Sequence, residues 1–173
     1  MIMQKMNELY GKRVISQITG DEVATVREVV LDPEARQIEA LIISSGRSGD
    51  EHVVRMGQIL GMGEFIVVDG TRPFEPSARD PEIVKLRKGA DQITGKKIMS
   101  TTGEQFGTVG DMYIGRHGAI VGFELKHGPF GGSEPQVIRA IEVEAVGKDA
   151  VITRTNQPMA LSALTAEETR GAP

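Results

Sequence analysis

Apolar residues in this chain fall in short runs, often alternating with polar ones, with turn signals about every 8–12 residues, a pattern of short β-strands rather than helices. Residues 12–16 read as a short strand and 22–32 as a longer one. In the longer strand Val23, Thr25, Arg27, Val29 and Leu31 alternate with Ala24, Val26, Glu28 and Val30. Neither face is purely apolar, as expected where a strand bends across a small barrel. "DPEARQ" (32–37) is a turn, because Asp and Pro initiate it and the chain then turns apolar again. "IEALIIS" (38–44) returns as the paired strand, and "HVVRM" (52–56) and "FIVVD" (65–69) close the unit, the second after a turn at Gly61–Gly63.

The pattern then repeats. "GKRVIS" (11–16) answers "GKKIMS" (95–100), "TGDEVATV" (19–26) answers "TGEQFGTV" (102–109), and "IEALIISSG" (38–46) answers "IVGFELKHG" (120–128). "VVRMGQI" (53–59) answers "VIRAIEV" (137–143), and Gly63 with Val67 answers Gly147 with Val151. One such match is unremarkable between Val-rich strands, but a series in constant order indicates a duplicated unit of about 65 residues. The second copy has "GRHGA" (115–119) as its hairpin turn and "PQVIR" and "AVITR" as closing strands. Closing each sheet on itself hides edges that a lone meander of this size exposes.

Between the copies, "RDPEIVKLRKGAD" (79–91) carries helix punctuation. Asp80 suits the N-cap, Pro81 the first helical position, and Lys85, Arg87 and Lys88 the C-terminal end before Gly89. Ile83, Val84 and Leu86 are placed to pin this helix to a barrel. The expected organisation is therefore all-β: a first barrel over 1–75, a short helical linker over 76–91, a second barrel over 92–156 and a frayed tail over 157–173, with at most one helical turn around Leu161–Leu164.

Composition narrows the function classes. Of the 44 charged residues 24 are acidic and 20 basic, a net charge of −4, and residues 8–75 alone carry −5. No basic stripe is visible, whereas nucleic-acid binders draw most of their affinity from neutralising phosphates. There is no cysteine, which removes disulfides, thiolate metal sites and thiol nucleophiles together. No apolar run approaches the ~20 residues that span a bilayer, and the first residues lack a signal-peptide core. The expected location is the cytoplasm.

Candidate chemistry is sparse. His52, His117 and His127 share no metal-ligand spacing and have no matching His in the other copy. No GxSxG elbow surrounds Ser44 or Ser45, and neither "GMG" nor "GPFGG" precedes a helix or carries the Lys of a P-loop. The acidic pairs Asp21–Glu22 and Glu142/Glu144 fit turn solvation and strand alternation. No catalytic residue, cofactor or metal is expected. Three residues stand out as interaction candidates. Arg55 and Arg139 recur at the same place in the two copies, where a guanidinium can brace the barrel mouth or anchor a partner. Phe130 lies in "GPFGGSEP" (128–135), an aromatic among glycines. Lys12–Arg13 and Lys96–Lys97 are paired basic entries to each first strand and fit edge protection.

"GKKIMSTTGEQFGTVGDMYI" (95–114), and "GKRVISQITGDEVATVREVVLD" (11–32) with Ala24 for the second turn glycine and Glu28 for Asp, resemble the opening of PRC-barrel domains. The second copy ends this stretch in Gly115, where the first has Asp32. Members include the cytoplasmic barrel of the photosynthetic reaction-centre H subunit and the C-terminal domain of a ribosome maturation factor. The resemblance implies a small β-barrel that docks on other macromolecules. The expected function is thus a non-enzymatic protein-binding or adaptor module of two PRC-like barrels, whose partner is another protein or a second copy. The alternatives are a ribosome- or RNA-associated assembly factor, and a small-ligand carrier or enzyme using a pocket between the barrels.

Overall fold

The computed structural model describes residues 3–46, 49–89, 93–126 and 134–171. A two-residue strand β1 (Gln4–Lys5) precedes β2 (Arg13–Ser16), β3 (Glu22–Leu31), β4 (Ile38–Ser44), β5 (Glu51–Arg55), β6 (Ile59–Met62), β7 (Ile66–Val68), β8 (Glu75–Pro76) and helix α1 (Pro81–Gly89). The order then returns as β9 (Lys97–Ser100), β10 (Gln105–Ile114), β11 (Ile120–Lys126), β12 (Gln136–Arg139), β13 (Val143–Val146), β14 (Ala150–Thr153), β15 (Met159–Ala160) and helix α2 (Leu161–Arg170). Among the described residues each copy thus has six principal strands, a two-residue seventh and an α-helix. The chain is mostly β, two tandem curled sheets with a short helix between them, as the repeat predicts.

Two units are distinguishable, one of residues 7–32 and 37–90, the other of residues 1–6, 33–36 and 91–173. The N-terminal unit orders its strands β6-β7-β2-β3-β4-β5-β8, and the C-terminal unit orders its own β13-β14-β9-β10-β11-β12-β15, with β1 added on β10. In each unit the neighbours run antiparallel except one parallel pair. Val14 lies opposite Ile66, and Ile98 lies opposite Val151. That register makes Ile152, not Val151, the counterpart of Val67. The closing pairs Met62–Ile66 and Val146–Val151 show why, since the second hairpin has one more residue between them.

The cores match position by position. Val14, Leu41, Val54 and Ile66 are fully buried in the first unit, and Ile98, Phe123, Ile138 and Val151 occupy the same places in the second. The long strand departs from simple alternation. A register shift between Val26 and Glu28 brings Val26 and Val29 to the same face, where strict alternation places them on opposite faces, and Val30 on the other face is buried under Ile83. A bulge inserts one residue and flips the parity of the strand, so residues three apart come to share a face.

The two matching Thr-Gly pairs are turns in the structure. Gly20 and Gly103 adopt φ of 73° and 87°, and Gly103 N–H donates to Ser100 O at 2.9 Å. A β-branched side chain is strained there, so Gly103→Val is expected to destabilise the protein by about 1–3 kcal/mol. An unchanged urea midpoint would show the glycine to be incidental. Asp32 closes the other turn by accepting from Gln37 N–H at 2.8 Å.

The C-terminal segment corrects the expectation of a frayed tail. Leu161–Arg170 is a ten-residue helix and Leu164 is 1% exposed. Its apolar residues are too few to announce a helix, but one of them reaches a prepared face of the sheet, and tertiary packing supplies what propensity does not.

Candidate functional site

The face that receives each helix follows from strand alternation. On β5, Glu51, Val53 and Arg55 point the same way, because side chains two apart share a face. Cross-strand register extends this into two rows, Val30–Ala40–Arg55 and Glu28–Ile42–Val53. Each row carries a charge at one end, Arg55 on β5 and Glu28 on β3, and is apolar elsewhere. Ile83 of α1 sits on Val30, Ala40, Ile42 and Val53, fully buried, with Leu86 beside it.

Both ends of this face clamp the helix. Arg55 Nη2 lies 2.7 Å from Asp80 Oδ2 and 2.9 Å from Glu82 Oε2, so the sheet holds the N-terminus of α1. In the reciprocal direction, Arg87 of α1 reaches Glu28 at 2.7 Å and Glu51 at 2.9 Å. Asp80 has a second task. Its Oδ1 accepts from Ile83 N–H at 3.1 Å, the N-cap bond read from the sequence.

Burial pushes the Asp80 carboxyl up, but the Ile83 amide and the Arg55 guanidinium outweigh it and hold the group below the usual carboxylate range. A depressed folded-state value means a contribution that is complete above about pH 4 and is lost as pH falls through the folded-state value. Asp80→Ala is expected to cost about 1–2 kcal/mol at neutral pH. Asp80→Asn should flatten the acid limb of the stability profile in that window. Urea titrations between pH 2 and 7 (roughly the span over which carboxylates protonate) check both, and identical acid limbs for wild type and variant would refute the assignment.

The second unit builds the same lattice with different occupants. Its rows are Tyr113–Gly122–Arg139 and Asp111–Glu124–Val137. Leu164 of α2 packs on Tyr113 and Val137, with Met3, Val121, Met159 and Leu161 around it. Gly122 stands where the first unit has Ala40, and a Cβ there would come 2.8 Å from Leu164 Cδ2, so the glycine makes room for the leucine. Arg139 reaches Glu167 of α2 at 3.2 Å and also pairs with Glu142. Glu124 replaces Ile42, pairs with Lys5 at 2.9 Å and accepts from the Tyr113 hydroxyl. Both recurrent arginines therefore sit at one end of a helix-bearing face, each engaged with a carboxylate of its own helix.

The model of the PRC-barrel domain matches this chain twice, at residues 1–72 and 87–157. The chain belongs to the PRC-barrel domain family. No curated protein matches it. PRC-barrel domains are protein-interaction modules and generally non-catalytic. Ile83 and Leu164 both fall outside the residues matched to the family, so in this PRC-barrel chain each barrel's own face is covered by an apolar residue beyond the match to that barrel.

The other sequence candidates are placed as follows. Lys12 and Lys96, 84 residues apart, donate to Gly63 O and Gly147 O respectively, the latter at 2.7 Å, so both tie the turn before the last long strand. Phe130 and His127 lie outside the described residues. His52 is on β5 and His117 in the turn after β10, where it adopts φ 54°. Among the described residues no group of three or more His, Asp or Glu side chains is arranged to hold a metal. Glu22, Glu142 and Glu144 each have an ion-pair partner, Arg13, Arg139 and Arg154 in turn. A cleft of about 190 Å³ in the C-terminal unit is lined by Glu34, Arg36, Phe123 and Glu144 among others, with Glu34 and Arg36 paired to each other at 2.7 Å. No helix among the described residues is long and apolar enough to cross a membrane.

Sequence reading identified the arginines and missed their partners on the helices, reading Asp80 only as a cap. Glu167 lies three residues after Leu164, and Asp80 three before Ile83. An apolar residue flanked by a carboxylate one helical turn away, in both segments that follow the last strand, is the signal that finds them.

Proposed function

We propose that this chain is a non-enzymatic adaptor whose two PRC barrels bind another protein in the cytoplasm. The observation that carries the reading is that the family match covers both repeats, which doubles a module whose family serves protein interaction. Charge supports it. A net −4, with −5 on residues 8–75, disfavours phosphate-rich ligands and leaves protein surfaces as the better match. Two linked modules also gain avidity on a partner that presents two sites.

The test uses the full chain as bait in its native lysate, with and without nuclease, followed by rebinding of the purified captured protein. The expected result is a defined protein retained after nuclease treatment and rebound in stoichiometric amount. Loss of all retained protein on nuclease treatment, with sub-micromolar, salt-sensitive binding to ribosomal RNA in a filter assay, would overturn the reading in favour of an assembly factor.

A further inference from the structure

The two helix-bearing faces share one recognition chemistry. Each offers an apolar patch from three adjacent strands and an arginine at its edge. Each receives a helix that buries one branched aliphatic residue, Ile83 or Leu164, and presents a carboxylate three residues away, Asp80 or Glu167. The two occupants differ in how firmly they are held. Helix α1 has two carboxylates on Arg55, two more on Arg87 and a side-chain N-cap. Helix α2 has no side-chain cap from its own N-cap residue Ala160. Its side chains make one ion pair to the sheet among the described residues, Glu167 with Arg139, and Leu164 is its one buried residue. Glu134 adds a contact by accepting from Ser162 N–H at 2.6 Å.

Resting on the adaptor reading, we propose that the Tyr113–Gly122–Val137 face with Arg139 is the docking site for an amphipathic helix of a protein partner, and that α2 is its displaceable cis occupant. The partner helix carries a leucine or isoleucine for the patch and an acidic residue one turn away for Arg139. Helix-in-groove docking uses this combination of apolar anchors at helical spacing and edge charge. The face is part of the barrel as the family defines it, while the helix covering it is not. A tethered occupant competes at high effective concentration, so binding in trans is weakened by the fraction of time the face is covered. Release of α2 is thus the step that switches the site on.

The probe is a fluorescently labelled synthetic peptide with the sequence of residues 159–171, titrated by anisotropy against the full-length protein. Leu164→Ala in the protein loosens the cis helix and is expected to tighten uptake of the peptide by about 10-fold or more over wild type. Adding Arg139→Ala to that variant should weaken uptake again, and a peptide with its own leucine changed to alanine should not bind. Should the Leu164→Ala protein fail to fold by circular dichroism, Glu167→Ala, which releases only the Arg139 contact, serves under the same criterion. A folded, loosened variant that ignores the peptide, or takes up the alanine peptide equally well, overturns the proposal. So does a loosened variant that sediments as a dimer and excludes the peptide, since the occupant is then a second copy. If the peptide fails while the bait experiment still retains a protein, this docking site is wrong and the adaptor reading stands.

Discussion

Phe123→Ala is expected to lower the unfolding free energy by about 3–5 kcal/mol, the range for truncating a large aromatic in a packed core. Phe123 is 1% exposed and sits at the centre of its sheet, opposite Met112 on β10 and Ile138 on β12, themselves 1% exposed. Removing the ring leaves a void that backbone on three adjacent strands cannot close, so the transfer and cavity contributions add. The same site in the first repeat holds Leu41, fully buried, and a leucine at 123 should therefore be tolerated far better than alanine. Urea denaturation provides the check, with the midpoint falling and the slope unchanged. A loss below about 1 kcal/mol would mean that this position is not core.

Ile83→Ala is expected to cost about 2–4 kcal/mol, and it bears on function as well as stability. Ile83 is fully buried on Val30, Ala40, Ile42 and Val53, so it is the apolar anchor of α1. Its neighbour Val84 is only half-buried, and Val84→Ala should cost much less. The contrast separates anchoring from helix propensity, since alanine is the better helix former at both positions. If both variants lose the same amount, the helix is not seated through Ile83. Arg55 is about one-third exposed and its pairs are partly screened, so Arg55→Ala should cost less than Ile83→Ala. The burial of one side chain outweighs the ion pairs around it. That ordering is why Leu164, rather than Glu167, is the first residue to change when loosening α2.

Much of this was legible in the residues, for local reasons. Two copies of a strand-turn-strand pattern declare the duplication, because turn glycines and alternating Val and Ile act within a few residues of themselves. Gly20 and Gly103 hold the left-handed turns that their contexts predict, and Asp80 caps the helix its sequence announces. That Ile83, Val84 and Leu86 pin α1 was likewise readable from an apolar cluster in a charged segment, though not that Ile83 alone is fully buried. The recurrence of Arg55 and Arg139 marked one place in each copy as worth inspection.

What the residues did not disclose depends on distant partners. Alternation places Val29 and Val30 on opposite faces but not which layers they enter. The register shift after Val26 and the helix laid over Val30 decide that. Of the carboxylates on the arginines, Asp80 and Glu167 lie 25 and 28 residues away along the chain, and only the fold brings them within 2.7 and 3.2 Å. Helix α2 shows the same dependence most plainly. Its ten residues carry little helical signal of their own, and they are ordered because Gly122 leaves space for Leu164 against Tyr113 and Val137. The sequence by itself determined the repeat, the succession of strands along the chain and the turns, since these rest on short-range sterics and periodicity. Which face each helix covers, and what its charges meet, was decided by tertiary structure, because burial and ion pairing are properties of neighbours that the chain brings together only when folded.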